Sequence, residues 1–140
     1  MESNLRDQKE SLDKPLSEKS QDQGTEQPHD TDIKDLIQLR QTNPSNPIIG
    51  YLNINSLRHK IIELRDILNK AQIDIICVDE TKLDSSFPDS QFKIDNYQFP
   101  SHRRDRNSKG GGKMVFIKQG LIAKRLPDLE TNISETICLE

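Results

Sequence analysis

Two apolar runs end in the residues best equipped for chemistry. Ile48-Ile49-Gly50-Tyr51-Leu52 leads into Asn53 and Asn55, and Ile73-Asp74-Ile75-Ile76-Cys77-Val78 leads into Asp79-Glu80-Thr81. A carboxylate at the end of a buried strand is costly unless something offsets its charge. For Glu80 two offsets are open: a nearby cation such as Lys82 or an arginine, or a hard metal ion. Mg²⁺ takes oxygen ligands and keeps several waters, so one or two carboxylates and a substrate phosphate complete its shell. The amide of Asn53 can donate to a phosphate oxygen and accept from a neighbour. It equally suits a turn or a cap. A third group is basic: Arg103, Arg104, Arg106 and Lys109 stand beside Gly110-Gly111-Gly112. Such residues neutralise phosphates and release counterions, and glycines let the backbone approach. The same charges also suit a solvated hairpin tip that keeps a sheet edge soluble. The strand, Gly-loop and Lys-Ser/Thr order of a P-loop is missing.

The elements that must position these residues lie in 47–84. Between the two runs, Leu57, Ile61, Leu64, Leu68 and Ala71 step by four, three, four and three residues and so share one helical face. Asn55 or Ser56 is placed to cap the helix start. Strand, helix and strand within this length make a βαβ unit with parallel strands. Parallel strands end on the same edge of their sheet. Asn53, Asn55 and Glu80 therefore converge there, where open α/β sheets build sites.

The chain of 140 residues has room for one domain at most, and its charge of −3 is unevenly spread. Residues 1–30 carry eight acids and four bases, whereas the stretch from His102 to Arg125 carries eight Lys or Arg against Asp105 alone. Residues 1–30 hold only Met1, Leu5, Leu12 and Leu16 as apolar residues, too few to offset backbone entropy, so a disordered tail is expected. Residues 31–45 read as a short helix capped by Thr31 and a Pro-rich linker, and 46–140 as the folded part. No run is long and apolar enough to span a membrane, and no signal peptide is visible. Cys77 and Cys138 sit in apolar runs, which suits reduced thiols in an intracellular protein.

Further on, Thr81–Lys93 reads as a loop over the edge bearing Glu80. Tyr97-Gln98-Phe99 is a short strand candidate, and His102–Lys113 a basic, Gly-rich loop. Met114–Lys118 is a clear strand, Leu121–Leu126 a weaker one, and Glu135–Glu140 a last one.

The phrases Leu52–Arg58 (LNINSLR) and Glu80–Phe92 (ETKLDSSFPDSQF), with the later Asp105-Arg106-Asn107, the three glycines and the Glu135–Glu140 strand, resemble the endonuclease/exonuclease/phosphatase family. The wording is most similar to the endonuclease domain of non-LTR (LINE-type) retrotransposons. The resemblance covers about residues 46–140. It implies an α/β fold, the N-terminal half of a DNase I-like sandwich of two sheets flanked by helices.

It further implies Mg²⁺-dependent (or Mn²⁺-dependent) cleavage of DNA, with Glu80 as metal ligand, Asn53 on the scissile phosphate and Asn55 orienting its neighbours. DNA would meet Arg103, Arg104, Arg106 and Lys109. A reverse transcriptase would follow in the parent element, and a functional protein would work in the nucleus. Three positions depart from the family's wording: Asp79 for Ser or Gln, Asn96 for Gly, and Lys113 for an apolar residue, which threatens the strand register. The family's later Asp/Asn and Asp–His pairs have no match. His29, His59 and His102 do not replace that histidine. The expectation is therefore a half-site, inactive by itself. The alternatives are a non-catalytic or functionless remnant that at most binds nucleic acid, and a Mg²⁺-dependent phosphatase or RNA-cleaving member of the same fold.

Overall fold

Pro47 fixes a backbone angle compatible with extended chain, and the apolar run behind it enters a sheet as β1, Ile49–Asn53. The computed structural model describes residues 28–140, with side chains from residue 32 onward. The expected disordered tail falls outside them except at 28–30, which form the first turn of α1, Pro28–Thr42. The helix thus starts three residues before the expected boundary, and Thr31 lies inside it rather than at its cap.

β1 is followed by α2 (Leu57–Ala71) and β2 (Ile75–Asp79), then by β3 (His102–Arg104) and β4 (Lys113–Ile117). The four strands form one mixed sheet in the order β1-β2-β4-β3. β1 and β2 are parallel, with Asn53 opposite Asp79, as a βαβ unit requires. β4 runs antiparallel to both β2 and β3. The fold class is α/β.

The five residues of the helical stripe, Leu57, Ile61, Leu64, Leu68 and Ala71, are all buried. They pack on one face of the sheet with Ile76, Val78, Met114 and Phe116, and with Phe92, Ile94 and Tyr97 from the β2–β3 connection. α1 packs against α2 and is fastened by one side chain. Arg40 donates to the Gln72 carbonyl at 3.1 and 2.7 Å and to that of Asn46 at 3.1 Å, and it pairs with Asp74. The opposite sheet face carries Ile49 and Tyr51, both about two-thirds exposed.

Several local expectations need correction. β2 begins at Ile75, because Asp74 turns to bind Arg40 and the Ile48 N–H. Tyr97–Phe99 forms only an isolated bridge at Tyr97 to Lys118. Leu121–Leu126 and Glu135–Glu140 are likewise not strands; they meet in one bridge, Arg125 to Leu139. Conversely, His102–Arg104, read as loop, pairs with β4. Lys113 does not disturb the register: it is the first residue of β4, opposite Asp79. Neither cysteine is in a disulfide, and both are half-buried. Among the described residues no helix is long and apolar enough to cross a membrane.

Candidate functional site

The carboxyl-end edge of β1 and β2 is built by backbone hydrogen bonds that outlast the strands. The Ile54, Ser56 and Leu57 N–H groups donate to the carbonyls of Asp79 (3.0 Å), Glu80 (2.8 Å) and Thr81 (3.0 Å). On the other side, Thr81 and Lys82 donate to the Gly112 and Gly111 carbonyls at 3.3 and 2.9 Å. The Glu80–Lys82 segment is therefore clamped between the β1–α2 turn and the glycine loop. Such a clamp is needed, because Asn55, Ser56, Glu80 and Lys82 all have positive φ, between 47° and 89°. Each non-glycine residue in that region costs on the order of 1–3 kcal/mol, and such residues cluster where function holds them. Ser56 accordingly makes no side-chain cap; its backbone serves the clamp instead.

Glu80 is half-buried and makes no ion pair among the described residues. Its Oε2 accepts the Gly111 N–H at 3.1 Å. Lys82, the expected partner, donates to Asn55 Oδ1 instead. Asn53 is exposed at the facing strand end, and its Oδ1 accepts the Asn55 N–H at 3.2 Å. That local turn orients the side chain and leaves its amide hydrogens without a partner among the described residues. The structure thus brings together Asn53, Asn55, Glu80 and Lys82. The oxygen-rich edge suits a hard divalent ion: Glu80 keeps a carboxylate oxygen free of protein hydrogen bonds. Among the described residues no group of three or more His, Cys, Asp or Glu stands ready to hold a metal. The remaining ligands would be water and phosphate oxygens.

Beside Glu80, Asp79 takes a different role. Its Oδ1 accepts from Lys113 Nζ at 2.6 Å and its Oδ2 from the Tyr51 hydroxyl at 2.9 Å. The hydrogen bond to Asp79 holds the Tyr51 phenol above its ordinary pKa, with smaller contributions from burial and from the charge of Asp79.

The four basic residues separate into two pairs. Arg103 is mostly buried and donates to Asp105, Asp89 and the carbonyls of Phe87 and Asp84 at 2.7–3.1 Å. Arg104 donates to the carbonyls of Thr136 at 2.9 Å and Thr131 at 2.7 Å. Both spend their donors on the fold. Arg106 and Lys109 are exposed; Arg106 contacts Glu135 at 3.2 Å, while Lys109 extends from the loop tip. His102, on β3, has its imidazole pKa pushed down by burial and then by the Arg125 guanidinium.

Two residues at this edge were not singled out from the sequence. Arg58, exposed in the first turn of α2, lies over the Phe87 ring at 5.4 Å. Its position just after Asn55 in the site turn was the available signal. Glu135 reaches the glycine loop from the C-terminal segment and accepts the Gly112 N–H at 2.8 Å. Nothing local in the sequence marks that contact.

Residues 50–139 match the model of the Endonuclease/Exonuclease/phosphatase family. No curated protein matches the chain.

Proposed function

The chain belongs to the endonuclease/exonuclease/phosphatase family, and from that membership we propose that it serves Mg²⁺- or Mn²⁺-dependent cleavage of DNA phosphodiester bonds as the endonuclease portion of a retrotransposon-type protein. The family is one of phosphoester hydrolases that generally use divalent metals. One observation supports the metal reading. Glu80 is a half-buried carboxylate that is oriented by the Gly111 N–H yet has no cationic partner among the described residues. A structural carboxylate there would be expected to find a cation, and Lys82, the candidate two residues on, is turned to Asn55.

In this reading Glu80 holds the ion, which supplies positive charge to the phosphoryl oxygens. Asn53 donates its amide hydrogens to a phosphate oxygen and fixes its orientation. Asn55 holds the Lys82 ammonium at the same edge, where it adds positive potential for a polyanion. Arg58, Arg106 and Lys109 contact flanking phosphates, which position a duplex without reading its sequence. Arg103 and Arg104, which sequence reasoning had grouped with them, stiffen the platform. A phosphatase would have less use for exposed basic residues beyond its substrate's single phosphate. A DNA substrate implies a nuclear site of action, and a reverse transcriptase in the same element is the partner that fits it.

Titrating ¹⁵N-labelled chain with Mn²⁺ tests the metal reading. The Glu80 and Gly111 amides should broaden first, and Glu80→Gln should remove the effect. Identical broadening in both proteins would reduce Glu80 to a structural carboxylate.

A further inference from the structure

We propose that Glu135 is a positioning residue for the Glu80 carboxylate, acting through the glycine loop; this rests on the metal-site reading of Glu80. Two neighbouring backbone amides serve two carboxylates that are distant in sequence. Gly111 N–H donates to Glu80 Oε2 at 3.1 Å, and Gly112 N–H donates to Glu135 Oε2 at 2.8 Å. The two carboxylates are thus tied to one rigid dipeptide. Gly111 and Gly112 both have positive φ, 68° and 87°. A Cβ at Gly111 would lie 2.3 Å from Arg106 Nε and 2.7 Å from Glu135 Oε1, and one at Gly112 would lie 2.3 Å from Thr81 Oγ1. Backbone freedom and close approach are therefore both required here.

Glu135 holds this loop by one hydrogen bond and one charge contact. It takes the Gly112 amide, and its other oxygen, buried and without a hydrogen bond, lies 3.2 Å from Arg106 Nε. Arg106 in turn donates to the Gly110 carbonyl at 3.2 Å. Glu135 and Arg106 thereby pin Gly110 and Gly112 and leave Gly111 between them, with its N–H aimed at Glu80. On the far side, the Gly111 and Gly112 carbonyls accept from Lys82 and Thr81, the two residues that follow Glu80. Remove the Glu135 acceptor and the loop loses the side-chain anchor on the Gly112 N–H, beside the amide that Glu80 uses. Glu80 then loses the hydrogen bond that selects which of its oxygens faces the edge. Partners that orient a metal ligand without touching the metal typically change affinity by ~10–100-fold.

The experiment compares wild type, Glu135→Ala, Glu135→Gln and Glu80→Gln in the full chain. Mn²⁺ affinity is read from amide line broadening, and hydrogen exchange is read at Gly111. Glu135→Gln keeps an oxygen acceptor for the Gly112 N–H; Glu135→Ala does not. Expected are Mn²⁺ binding about 10-fold weaker or more in Glu135→Ala, faster Gly111 exchange in the same variant, and recovery of both in Glu135→Gln. The amides of Val78 and Phe116 should keep their wild-type shifts, which separates loop release from unfolding. Wild-type metal affinity and wild-type Gly111 exchange in Glu135→Ala would overturn the proposal. If instead wild type and Glu80→Gln bind Mn²⁺ alike, the metal reading of Glu80 fails. Gly111 exchange then decides alone whether Glu135 sets the loop.

Discussion

Asp79 and Lys113 stand opposite one another across β2 and β4, with the Lys113 ammonium donating to the Asp79 carboxylate at 2.6 Å. Each residue alone departs from the family wording that the rest of the edge resembles. Together the departures cancel: a charge beside Glu80 is neutralised by a charge at the start of β4. The pair leaves Glu80 as the carboxylate free of cations at the strand end, and it keeps the β2–β4 register. Lys113→Met should destabilise the chain by about 1–2 kcal/mol, since the pair is only partly exposed and its loss strands a carboxylate. The double variant Asp79→Ser/Lys113→Met should recover most of that loss. Urea unfolding of the four proteins forms the cycle, and an additive result would mean that the two side chains do not interact.

The basic loop should bind duplex DNA through Arg106 and Lys109, not through Arg103 and Arg104. Replacing the first two by Ala should weaken binding and lower the salt slope by about 2, near 0.9 per phosphate contact. Arg103→Ala should instead lower stability by about 2–4 kcal/mol, because Asp105 and two carbonyls lose a mostly buried donor. Fluorescence anisotropy over a salt series, paired with thermal melts, separates these effects. A salt slope that ignores Arg106 and Lys109 would remove the loop from the DNA interface.

Buried Tyr97 makes stability fall at alkaline pH. Its hydroxyl donates to the Ile73 carbonyl, with the Leu68 carbonyl oxygen 3.3 Å away. Burial, and then the nearby Asp74 carboxylate, push its phenol up to about 12 from an ordinary value of 10.0. The unfolded chain therefore gives up this proton first. The neutral tyrosine's contribution is complete below pH 10 and is lost progressively as pH rises toward about 12. Urea unfolding at a series of alkaline pH values should show this decline, and Tyr97→Phe should flatten it. A wild-type stability level across this window would contradict the burial argument.

The 140-residue chain by itself should not nick supercoiled plasmid in Mg²⁺. Phosphodiester cleavage needs a held metal, an oriented water and stabilised charge on the leaving oxygen. The proposed edge offers one carboxylate ligand, Glu80, and one contact to the phosphate being cleaved, Asn53. Nicking that is present in wild type and lost in Glu80→Gln would show that the edge is sufficient.

The sequence by itself determined the βαβ unit and the edge it builds. Periodicity is a local property: residues three and four apart must share a helical face, so Leu57, Ile61, Leu64, Leu68 and Ala71 were legible as a buried stripe. Parallel pairing then had to bring Asn53 and Glu80 to one edge. The tertiary structure decided which charges are free. Whether an arginine faces solvent depends on acceptors that lie far along the chain. Arg103 finds carbonyls 16 and 19 residues away, and Arg104 finds them 27 and 32 away. A run of like charges in the sequence carries no trace of those partners. The same holds for the short segments around Tyr97, Leu121–Leu126 and Glu135–Glu140. Their apolar patterns resemble strands, but in the folded chain they pair only at single bridges, Tyr97 with Lys118 and Arg125 with Leu139. Glu135 shows the limit most plainly. Its place beside Glu80 is created by two adjacent glycine amides, 23 residues from Glu135 in one case and 31 from Glu80 in the other. Only the folded chain brings them together.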